Sequence, residues 1–124
     1  MALLYNDWRV FVSLYPEQAE LRNIQGKYWY RYPQGENIPE VRERIRSWLT
    51  TLVRDYQNKK VMAITHNMTI LALRANVERL SADEFLRLDS KDRPINCGVT
   101  IYRGTPDQGK DGTLVLETYN EKLY

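Results

Sequence analysis

The stretch VMAITHN, residues 61–67, followed by MTILALRANVERL, residues 68–80, decides the fold of this chain. Residues 61–65 form a short apolar run that does not alternate with polar residues, which predicts a strand covered on both faces in a parallel sheet. Residues 68–80 repeat apolar side chains at helical spacing, which predicts a helix directly after it. Because another helix precedes the run, the pattern indicates an α/β fold with a mostly parallel sheet.

The preceding helix is predicted over residues 41–56, where apolar residues recur on one face. Asn37 is expected to cap it, and Glu40 falls three residues later, where its carboxylate reaches back to the cap amide. Arg42, Arg44 and Arg46 are interpreted as a solvated face of this helix, paired with neighbouring glutamates.

The remaining segments complete the prediction. Residues 5–24 are expected to be helical in two pieces broken at Pro16, and Ser81 with Glu84 opens a short helix that ends near residue 88. Residues 98–103 and 113–119 are expected to form a hairpin at the sheet edge, joined by the turn region at 104–112. Cys97 is expected to pack at the start of the first of these strands.

Composition excludes several classes of function. The formal net charge is only +2 and the basic residues are scattered, so no nucleic-acid partner is expected. One cysteine excludes an internal disulfide and a cysteine-based zinc site, which fits a reducing cytoplasmic setting. The apolar runs are too short to cross a membrane, so a soluble, unexported chain without metal or cofactor is expected.

The sequence contains a single histidine, His66, which together with Asn67 lies where the predicted strand ends and the next helix begins. In open α/β sheets this is where backbone amides and the helix dipole meet an anion, most often phosphate. The same position also suits a histidine that only packs and forms hydrogen bonds.

A long aromatic loop, NIQGKYWYRYPQGENI at residues 23–38, is expected to be ordered and near a site, because dense aromatic side chains tend to bury area. A base-stacking role with Lys27 and Arg31 is disfavoured, since no RNA-binding sheet pattern accompanies the loop.

The block KYWYRYPQGEN (27–37), the following helix and VMAITHN (61–67) together resemble the C-terminal half of the histidine phosphatase superfamily. The similarity is greatest to phosphoglycerate mutase-like and fructose-2,6-bisphosphatase domains, and it covers roughly residues 8–103. The resemblance implies one incomplete domain over residues 1–124, with part of a three-layer phosphoglycerate mutase-like fold.

The resemblance also implies the site residues. His66 matches the second catalytic histidine, which stabilises the transferring phosphoryl group opposite the nucleophile. Asn67 matches a substrate-contacting amide, and Lys27 and Arg22 match residues that hold a sugar phosphate, Arg22 only if one extra residue is allowed between them. A phosphorylated small molecule or phosphate is therefore the expected ligand.

The family's nucleophile lies in an R-H-G triplet, and that triplet does not occur in this sequence. The expected function is therefore the C-terminal portion of a histidine phosphatase that is inactive alone. Two alternatives stay open: a non-catalytic module that binds phospholigands or proteins, and a half-site that another chain completes. Because the strand at 61–65 would lack a neighbour on one side, a homo-oligomer is also expected.

Overall fold

The structure is a computed structural model that describes residues 12–105 and 113–124. The chain divides into two compact units, residues 1–41 and residues 42–124. The helices with defined bounds are α1 (Pro16–Gln25), α2 (Ile38–Asp55), α3 (Asn67–Glu78) and α4 (Ala82–Lys91). They are followed by two strands, β1 (Gly98–Thr105) and β2 (Thr113–Lys122).

Helix α1 and the aromatic loop lie in the first unit. The helix begins at Pro16, as proline geometry predicts, and residues 12–14 are also helical, whereas the start of the predicted first piece lies outside the described residues. Tyr28 and Tyr30 of the loop are buried, and the Tyr30 hydroxyl donates a hydrogen bond to Gln18 Oε1 at 2.7 Å. The loop therefore packs on its own unit through its tyrosines.

The start of α2 follows the predicted capping pattern. The Glu40 amide donates to Asn37 Oδ1 at 3.0 Å, and the Asn37 amide donates to Glu40 Oε1 at 3.1 Å. These reciprocal bonds satisfy two backbone donors that the helix itself leaves without partners.

The buried core of the second unit includes side chains of α3 and α4. Leu71, Ala72, Ala75 and Phe85 are fully buried. Helix α4 opens with the predicted box, since the Glu84 amide donates to Ser81 Oγ and the Ser81 amide donates to Glu84 Oε2. This core fixes the helix that begins beside His66.

The C-terminal strands form the predicted hairpin. β1 and β2 pair antiparallel from Gly98 opposite Lys122 to Thr105 opposite Thr113, with register shifts between Val99 and Tyr102. Most of the predicted turn region, residues 106–112, lies outside the described residues.

The strand predicted over residues 61–65 is not formed, and this prediction was wrong. Val61, Met62 and Ile64 are 50%, 87% and 94% exposed, and the described residues hold only the two antiparallel strands of the hairpin. A strand needs a neighbour to receive its backbone hydrogen bonds, and no described segment provides one here. Helices and strands are both present, but a mostly parallel sheet is not shown.

Two further observations concern Cys97 and the apolar character of the helices. Cys97 is exposed and adopts a left-handed φ of 60° in the turn before β1, so the predicted packing role was wrong. Among the described helices, none combines the length and the apolar character that a membrane span requires.

Candidate functional site at the start of α3

His66 and Asn67 lie side by side at the beginning of α3. His66 is the exposed N-cap residue, with an extended backbone at φ −103° and ψ 162°, and its carbonyl accepts the Ile70 amide at 3.1 Å. Asn67 is the first helical residue and is half-buried. The sequence prediction that this histidine stands where a helix begins is confirmed, although no strand leads into it.

The N-terminus of α3 differs from those of its neighbours. His66 makes no side-chain capping bond, and no acidic residue lies in the first turn. By contrast, the N-termini of α2 and α4 have capping boxes, and the glutamates of these boxes bring negative charge to the start of each helix. Because the first amides of a helix carry partial positive charge, the start of α3 is suited to an external anion.

The opposite end of α3 is held by Arg42 of α2. Its guanidinium donates to the Leu80 carbonyl at 2.9 Å, the Ala75 carbonyl at 3.2 Å and Asn76 Oδ1 at 3.1 Å. Asn76 Nδ2 donates back to the Arg42 carbonyl at 2.8 Å. A cation near the negative end of the helix dipole is favourable, and Arg42 donates to carbonyls at and just beyond the C-terminus of α3, so it anchors the helix that carries His66.

Sequence reasoning missed this role of Arg42. It was predicted to lie on a solvated face, which fits Arg46, whose guanidinium is 3.9 Å from exposed Glu43. The partners of Arg42 lie more than thirty residues away in sequence, so local spacing carried no signal for them. Only the polar character of Asn76, close to the end of a predicted helix, hinted at a tertiary partner.

A third set of contacts joins α3 to the hairpin. The Arg74 guanidinium pairs with Glu78 and lies 4.3 Å from the ring centre of Tyr119. Burial, together with the nearby Glu78 carboxylate, raises the pKa of Tyr102 to about 12. Burial also raises the pKa of Tyr119, whose hydroxyl donates to the Asp92 carbonyl at 2.6 Å.

The other two predicted site residues lie in the first unit. Arg22, in the last turn of α1, donates from Nε to the Tyr32 hydroxyl at 3.1 Å. Lys27 follows Gly26, which ends the helix with a φ of 85°. Arg22 and Lys27 therefore lie in the first unit. His66 and its neighbour Asn67 lie in the second unit.

The chemistry of these residues favours anion binding. Within residues 12–105 and 113–124, no cluster of three or more histidine, cysteine, aspartate or glutamate side chains is arranged to hold a metal ion. An imidazole, a carboxamide and open helix amides together offer hydrogen-bond donors to an oxyanion.

Comparison with known proteins gives one match. A family model described as the histidine phosphatase superfamily (branch 1) matches residues 12–116 of the 124. No curated protein matches significantly, and no solved structure does.

Proposed function

Because the chain belongs to the histidine phosphatase superfamily, we propose that it is the C-terminal portion of a phosphatase of this superfamily and binds a phosphorylated small molecule. The observation that carries this proposal is the exposed His66 at the uncapped start of α3. A sugar phosphate or a similar ester is the proposed ligand class. In this proposal the chain forms one incomplete domain, and its single cysteine supports a reducing cytoplasmic setting.

Each predicted site residue has a role in this proposal. The His66 imidazole holds the transferring phosphoryl group, and the Asn67 carboxamide contacts the substrate beside it. The first amides of α3 add partial positive charge at the same place. Arg22 and Lys27, in the first unit, are proposed as cationic donors to a phosphate group.

The same proposal makes these 124 residues inactive alone. Phosphohistidine chemistry requires one imidazole to attack phosphorus in line while other donors hold the equatorial oxygens. The sequence has one histidine, which serves as the holding group, so no attacking imidazole is left. Binding survives without the nucleophile because it depends on hydrogen-bond donors and on the helix dipole.

Titration with inorganic phosphate, followed by amide NMR, tests the binding. We expect shifts at the amides of Asn67 and Met68, and an affinity lowered by about tenfold or more in His66→Ala, which removes one donor. The substitution should leave the start of α3 intact, because the His66 side chain makes no capping hydrogen bond. The start of α4, closed by Ser81 and Glu84, serves as the internal control and should not shift. Equal shifts in His66→Ala would contradict the proposal.

Hydrolysis of p-nitrophenyl phosphate tests the inactivity. The wild-type chain and His66→Ala should release product at the same background rate, since the chain has no nucleophile to lose. A clear loss of rate on substitution would show that His66 itself catalyses turnover, and the inactivity would be disproved.

A further inference from the structure

We draw no further inference here: the strongest candidate, the side-chain cluster of Arg74, Tyr102 and Tyr119 between α3 and the hairpin, belongs to the packing contact already described, and nothing in residues 12–105 and 113–124 shows which ligand would reach it.

Discussion

Two tyrosines of the hairpin differ in what their hydroxyl groups contact. Tyr119 donates to the Asp92 carbonyl at 2.6 Å, whereas the Tyr102 hydroxyl is buried and has no hydrogen-bond partner among the described residues. A buried donor without a partner costs about 1–3 kcal/mol, because it gives up its bonds to water. The ring of Tyr102 therefore stabilises the protein, whereas its hydroxyl opposes that gain.

Tyr102→Phe should raise the free energy of unfolding by about 1 kcal/mol, since it removes only the unpartnered hydroxyl. Tyr119→Phe is the matched control and should lower it by about 1 kcal/mol, since it breaks a made bond. Urea unfolding followed by circular dichroism measures both changes. A destabilised Tyr102→Phe variant would show that this hydroxyl has a favourable contact in solution.

At the scale of elements, the contact between Arg42 and the end of α3 gives a second prediction. Arg42→Ala should lower the free energy of unfolding by about 2 kcal/mol, because it leaves the Leu80 carbonyl and Asn76 without a charged donor. Arg46→Ala should change it by less than about 0.5 kcal/mol, since Arg46 faces only exposed Glu43. Chemical denaturation compares them, and equal effects would contradict the anchoring role.

The elements also show what the sequence can predict. The helix starts at Asn37 and Ser81 were predicted because a capping box involves residues only three positions apart. The start of α3 at His66 followed from helical periodicity in the same way. The prediction of a strand at 61–65 failed because a strand requires a neighbouring strand, and an apolar sequence pattern does not show whether one is present. The anchoring by Arg42 was missed because its partners are distant in sequence.

At the scale of the whole molecule, several tyrosines link stability to alkaline pH. Burial raises the pKa of Tyr30, Tyr102 and Tyr119 above the ordinary value of about 10. In the unfolded chain these groups lose their protons at lower pH, so the unfolded state binds fewer protons and stability falls as pH rises. For Tyr102 the loss extends from about pH 10 to about pH 12.

The urea midpoint should therefore be lower at pH 11 than at pH 9, as measured by circular dichroism. Tyr102→Phe should reduce this difference, because phenylalanine has no proton to lose. An unchanged midpoint between the two pH values would contradict the raised pKa values.

The exposed run at residues 61–65 has a consequence for aggregation. A short apolar segment with β-branched residues and no proline is the composition that stacks into cross-β fibrils. Lys59 and Lys60 stand directly before it. In a parallel, in-register stack these lysines would repeat about every 4.8 Å, and their mutual repulsion opposes such growth. The two lysines thus oppose the stacking of this run into fibrils.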